Sequence, residues 1–225
     1  MKTLKQTARL AGWFYLAFLV LGIFSFFYVP SKIYVAGNAA QTSANMLNQE
    51  LLFRFGIAAN LTGQVIFILL VLTLYELFRA VNKTWAVLML IMALVSVPIS
   101  FVIILKQVAT LLLLSGDRFL KTFEPGQLQS LMLLFYEMYN YEILIVGLFW
   151  GLWLFPFGWL VIKSGFIPKL LGVLLIIGCF AYLADSFSAL LIPACHKNIS
   201  NFIALPVSVG EIAMIGWLLM KGVKD

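Results

Sequence analysis

Five ionisable side chains of this 225-residue chain, Arg54, Lys106, Glu142, Asp185 and Glu211, stand inside stretches that are otherwise apolar. Charge inside such a segment is costly, and it is kept where it faces a bundle interior or an aqueous cavity. Carboxylates and amines so placed could hold an ion, relay a proton or act as acid and base. Amides and phenols accompany them. Asn60 and Gln64 are four apart and share one helix face, while Tyr136, Tyr139, Asn140 and Tyr141 lead into Glu142. The candidate ligand- or ion-binding set is therefore Asp185, Glu211, Glu142, Lys106, Arg54, Asn60, Gln64, Tyr139 and Asn140.

No motif turns these groups into a recognised catalyst. The sequence has no HExxH, paired His, GxSxG, Walker loop or GxGxxG after a strand, so no catalytic residue is assigned and the balance leans away from an enzyme. Cys195 and His196 are adjacent but supply too few ligands for a metal site, so neither a metal nor a cofactor is expected. Cys179 and Cys195 read as structural or incidental, with a bridge as the alternative, and His196 reads as a solvated residue of an outer loop. Of three Asn-X-Ser/Thr triplets only the one at Asn198 falls where a glycan could matter.

The elements that must position these groups are membrane spans. Apolar types make up 63% of the chain and charged types 11%, against roughly 45–50% and 25% in soluble domains; mean hydropathy is +1.04. Six continuous apolar runs, 9–29, 53–78, 85–114, 127–162, 168–191 and 203–221, approach or exceed the ~20 residues that cross a hydrocarbon core. A β-barrel would show short alternating segments instead. The expected fold is all-α, a polytopic transmembrane helical bundle of about six spans forming one domain over 1–225. The first run is too long for a signal peptide and reads as a retained span. The third and fourth runs exceed one crossing, so each must project or bend, and Pro98 gives the third a place to kink. Between spans one and two, residues 39–47 have helical potential but sparse apolar positions, which suits a short interfacial helix. Gly147 and Gly151 form a small-xxx-small pattern suited to close packing within a bundle or across a dimer. Trp13, Trp85, Trp153, Trp159 and Trp217 read as interface anchors.

Net charge is +6 with a pI near 9.4, yet no Lys/Arg run is long enough to argue for nucleic acid. Lys2, Lys5, Arg9, Arg79, Lys83, Lys163, Lys169, Lys221 and Lys224 fall on one side, nine in all, against six on the other. Cytoplasmic retention of basic residues then places both termini in the cytoplasm.

Heights follow from about 1.5 Å of rise per residue, counted from the cytoplasmic ends. On that count Glu211 lies about 15 Å up, Gln64 about 22 Å, Asp185 about 25 Å and Asn60 about 28 Å. Glu142, Lys106 and Arg54 follow at about 31, 34 and 37 Å. Most of these polar groups therefore belong to the outer half, as an outward-open polar vestibule or a buried polar network with Glu211 at its floor. Against this, Lys106, Glu142 and Arg54 could be residues at helix ends that snorkel to the headgroups. Asp185 and Glu211 are too short to snorkel far; for them the alternative is a structural ion pair or hydrogen-bond network. Glu76 and Arg79 read as a local pair.

The runs ARLAGWFYL, YVPSKIYVAGNAAQTSANMLNQELLFRFGI, LYELFRAVN, GLWLFPFGWLVIKSGFIPKLLGVLL and AYLADSF resemble a bacterial multi-pass inner-membrane family catalogued as a domain of unknown function. The likeness covers most of 8–190 and weakens through the last span; members often carry Asp where this chain has Asn38. It implies an inner-membrane protein and supplies no activity. Three functions follow as expectations: a binding or transport protein for a small molecule or ion; a scaffold or stress-response protein with a structural polar cluster; and, lowest, an enzyme acting on a lipid or isoprenoid. The lipid bilayer is the expected partner, with a homo-oligomer and a small-molecule ligand left open.

Overall fold

A computed structural model describes residues 3–115 and 118–221, apart from the side chains of residues 119, 194–195, 197–199 and 201–208. The described chain is helical with no strand. Helix α1, Leu4–Gly22, opens on a reciprocal cap in which Thr3 Oγ1 accepts from Gln6 N and Gln6 Oε1 accepts from Thr3 N. It runs on through a π-helical turn, Ile23–Tyr28, into α2, Val29–Ile33. Pro30 explains the wide turn: it has no N–H, and its ring would crowd the carbonyl four residues back in an α-helix. Val29 N instead reaches Phe24 O, five residues back.

Helix α3, Ala39–Asn48, realises the expected short helix after span one. Asn38 caps it, its side chain accepting from Gln41 N at 2.9 Å. Then follow α4, Glu50–Phe78, α5, Lys83–Leu114, and a 3₁₀ turn, Arg118–Leu120. Next come α6, Pro125–Leu152, α7, Leu154–Ser164, α8, Lys169–Leu191, and α9, Pro193–Met220. The fourth expected span indeed divides, at Trp153, because Pro156 cannot donate to the carbonyl of Leu152. Pro98 lies inside an α5 that stays helical on both sides of it.

Among the described residues, five segments are long and apolar enough to cross a membrane: Leu4–Ile33, Glu50–Phe78, Lys83–Leu114, Pro125–Ser164 and Lys169–Leu191. The sixth expected span, 203–221, falls in α9 and partly on side chains outside the described residues; its described part, Val209–Met220, is a shorter apolar helix. Large apolar side chains face outward along these helices. Leu105 and Leu170 are each 67% exposed, and Phe27, Leu61 and Leu134 are also exposed. Such a surface suits lipid rather than water. The protein is a multi-pass helical membrane protein.

The helices group into two compact units. The first comprises Met1–Ala17, Ile66–Pro98 and Leu144–Asp225. Its core is aromatic. Trp153, 2% exposed, meets Phe67 edge-on at 5.6 Å, stacks with Phe157 at 5.3 Å and lies 6.2 Å from Tyr15. Trp153 is thus a core residue and not the interface anchor expected from its position; its neighbours on α1, α4 and α7 enclose it. Trp85 and Trp159 stack at 4.7 Å with Lys163 over Trp159, and Trp13 is exposed.

Glycines bring helices of this unit together. A Cβ on Gly158 would stand 2.5 Å from the carbonyl oxygen of Gly172, and one on Gly172 at the same distance from that of Gly158. The intervening turn uses Gly165 at φ +74°, where a side chain would be strained. Gly151 packs on Tyr182, and Gly147 on Ser186 and Tyr182. The small-xxx-small pattern of α6 therefore serves contact with α8 in the same chain.

The second unit comprises Phe18–Val65 and Ile99–Ile143. Val29, Ile33, Met46, Phe53 and Met132 form its buried cluster. Side chains of α3 and of Gln49, which follows it, tie down the end of α2: Asn45 Nδ2 donates to Ile33 O and Gln49 Nε2 to Lys32 O, while Thr42 Oγ1 both donates to Val35 O and accepts from Val35 N.

Candidate functional site

In the second unit, α5 presents Lys106 and α6 presents Glu142. Lys106 Nζ donates to Glu142 Oε1 in an ion pair whose side chains are only 26% and 12% exposed. One helical turn after Lys106, Thr110 Oγ1 donates to the Lys106 carbonyl at 3.0 Å. A cavity of about 30 Å³ lies beside the pair, lined also by Ser25, Val29 and Pro30 of the π turn and α2, and by Gly56, Gln107, Tyr136 and Tyr139. That volume has room for about two water molecules.

Three buried polar atoms on residues that line this cavity have no hydrogen-bond partner among the described residues: Glu142 Oε2, Gln107 Oε1 and Tyr139 OH. Such atoms are rare in folded proteins because each carries a desolvation cost of about 1–3 kcal/mol. The tyrosines are held by other rings. Tyr136 stacks on Tyr34 at 4.2 Å and lies 6.0 Å from Tyr139, which stacks on Phe26. Tyr34 OH donates to Glu137 Oε1 at 2.6 Å, and that bond, ahead of burial, pushes the Tyr34 phenol up to about 12.

The other candidates of this unit stand apart from the cavity. Arg54 pairs with Glu50 one turn back at 2.7 Å, both side chains exposed, so its charge is satisfied locally. Asn140 is exposed and donates to Glu137 Oε2 at 3.3 Å. Asn60 and Gln64, 3% and 1% exposed, bond to each other at 3.3 Å, with Gln64 Oε1 left unpartnered among the described residues.

Asp185 and Glu211 belong to the first unit. Glu211 of α9 accepts from Tyr15 OH of α1 at 2.5 Å and from Tyr182 OH of α8 at 3.4 Å. Asp185 lies 3.7 Å from His196 Nδ1, and Ser188 Oγ, 3.1 Å from the same nitrogen, donates to the Asp185 carbonyl at 3.0 Å. His196 is half-buried in α9 and not in a solvated loop, because α9 begins at Pro193, which favours a first helical position. Cys179 is a buried free thiol; the side chains of Cys195 and Asn198 lie outside the described residues. Among the described residues no group of three His, Cys, Asp or Glu is arranged to hold a metal ion.

Sequence reasoning missed Gln107, Tyr15 and Tyr182. Gln107 adjoins Lys106 in an apolar run, a signal that was readable. Tyr182 precedes Asp185 by less than one turn, and Tyr15 is a polar tip in the first span. Nothing in spacing alone links either to Glu211.

The chain belongs to the family described as a domain of unknown function, DUF4386, which matches residues 10–222 and so extends through the last helix. It is similar to a protein of Archaeoglobus fulgidus described as uncharacterized, 36% identical over 85 residues. That match covers 37% of this chain and 49% of the relative, so the chain spans about half the length of the curated relative it matches. No solved structure matches.

Proposed function

We propose that the protein binds a small polar solute or ion in the cavity beside Lys106 and Glu142, as a binding or transport protein of a cell inner membrane. The observation that supports this is the coincidence, among the residues lining one small cavity, of a largely buried ion pair with three unpartnered polar atoms. A pair kept only for stability has no use for orphaned neighbours, since apolar residues of similar volume serve as well or better. By the basic-residue bias the cavity lies in the outer half of the membrane, with both termini in the cytoplasm. The vestibule expected from residue heights is thus narrowed to the groups of the second unit.

A second reading, a scaffold with a dry polar network, draws support from Lys106 and Glu142 satisfying each other. Labelling separates the two. Single cysteines at 107 and 139, in a background with Cys179→Ser and Cys195→Ser, are exposed in intact cells to aqueous silver ion, a thiol-binding probe no larger than a small cation, and the thiols left free are counted with a maleimide after denaturation. Both positions are expected to react, and an exposed control, Asn140→Cys, to react faster. Reaction at 140 with protection of folded variants at 107 and 139 would leave the scaffold reading in place of ours.

A further inference from the structure

We propose that the cavity is a site for a small monovalent cation and that the Lys106 ammonium is its tethered competitor; this rests on the binding role just proposed for the same cavity. The unmet groups decide the class of ligand. Glu142 Oε2 and Gln107 Oε1 are acceptors, and the Tyr139 oxygen carries lone pairs besides its proton. Three hard oxygen donors on residues lining about 30 Å³ suit a bare or partly hydrated small cation, reached by small side-chain rotations, and exclude an organic one, while carboxylate, carbonyl and water oxygens favour hard over soft metals. One carboxylate at the cavity is too little charge for calcium or magnesium, whose sites recruit several oxygens and commonly more than one carboxylate.

Charge balance supplies the rest. Glu142 already has one cation on Oε1, that of Lys106. A second positive charge in a low-dielectric segment would be opposed unless the first leaves. The lysine stem is long and flexible, and Lys106 stands about two turns from the end of α5 at Leu114, so its ammonium can extend along the helix surface toward the headgroups. Entry of a cation and departure of Lys106 then form one exchange that conserves the charge of the site. Gln107 and Thr110 hold the α5 side of the cavity in either state. Because Lys106 is carried by the chain itself, it competes at an effective concentration on the order of millimolar or more whatever the bulk salt.

The test uses purified full-length protein in detergent and follows thermal unfolding in sodium, potassium, ammonium or choline chloride at equal ionic strength. Choline is too large for the cavity and serves as the control. Lys106→Gln removes the competitor. Its Tm is expected to rise with the concentration of one or more of the small cations and not with choline. Half-maximal effect should come at a concentration about ten-fold or more below that of the wild type, because the tethered rival is gone. Adding Glu142→Gln to that variant should abolish the difference. If Lys106→Gln does not fold in choline but folds in a small cation, that also supports the site. If it folds in none, wild type is compared with Gln107→Leu at high salt, where a cation-specific shift in the wild type alone supports the site. Equal behaviour in choline and in every small cation overturns the proposal. Should cysteines at 107 and 139 nevertheless react with the aqueous reagent, only the cation assignment falls; should they be protected, the binding role falls with it.

Discussion

Glu211 shows how differently two buried carboxylates of one chain are handled. Glu142 has an ammonium partner, whereas Glu211 has two phenols of unequal reach, Tyr15 at 2.5 Å and Tyr182 at 3.4 Å. Leaving an oxygen of a buried carboxyl group without its donor costs about 1–3 kcal/mol, and a hydrogen bond weakens steeply as its geometry lengthens. Tyr15→Phe should therefore destabilise the protein by about 1–3 kcal/mol and Tyr182→Phe by clearly less. Reversible unfolding of the two variants in mixed micelles measures the difference; equal losses would mean that both bonds are equally formed. Legibility was uneven at this scale. That Asp185 and Glu211 sit in apolar helices was plain from the sequence, because a carboxylate is conspicuous among Leu and Ile. Which hydroxyl meets Glu211 was not, because Tyr15 and Tyr182 come from helices whose rotation about their own axes is set by packing rather than by hydropathy. Arg54 illustrates the converse: its height matched that of Glu142, yet Glu50, one turn away on its own helix, claims it.

At the scale of elements, the glycine contacts of the first unit carry the sharpest expectation. Gly158 and Gly172 let α7 and α8 approach until each carbonyl fills the place of the other residue's missing Cβ. Gly158→Ala must push backbone away from backbone, which costs about 1–3 kcal/mol by overpacking. Gly63, inside α4, would place its Cβ 3.8 Å from the Phe18 ring, an ordinary contact. There the same substitution should be neutral or stabilise by up to about 1 kcal/mol, as helix propensity dictates. The unfolding midpoint should thus fall for Gly158→Ala and hold or rise for Gly63→Ala, and a fall at both sites would show that α4 tolerates no added volume. The elements themselves were largely readable: apolar runs and turn residues located α4, α5, α8 and the short α3. The break at Trp153 and the π turn were not placed, because both depend on a proline acting on residues before it, and a hydropathy pattern has no term for that.

For the whole molecule, the arrangement of basic residues and the apolar exterior point the same way. Lys163 and Lys169 bracket the turn at Gly165, whereas the segment from Ser115 to Pro125 mixes both signs of charge. Fusions of a reporter active only in the cytoplasm should therefore be active after Met1 and at Gly165 and inactive near Gly37 and Glu124. The reverse pattern would invert the topology and turn the cavity toward the cytoplasm. The class of fold was legible because a continuous apolar run is a strong signal by length alone. The division of the polar residues between two units was not, because height along a helix says nothing about which neighbour that helix face meets.

The wide turn at Ile23–Tyr28 has a consequence for how this sequence can change. It holds one residue more than an α-helix of the same span requires. Losing one of those residues would let the coil close into an α-helical turn that fills the same span, so the helix beyond would keep its face. Pro30 would then meet the carbonyl four residues back, the clash that the wide turn now avoids. A frame-preserving deletion of a single codon here is therefore tolerated only together with replacement of Pro30. The extra residue and the proline are expected to be gained and lost as a pair through inheritance.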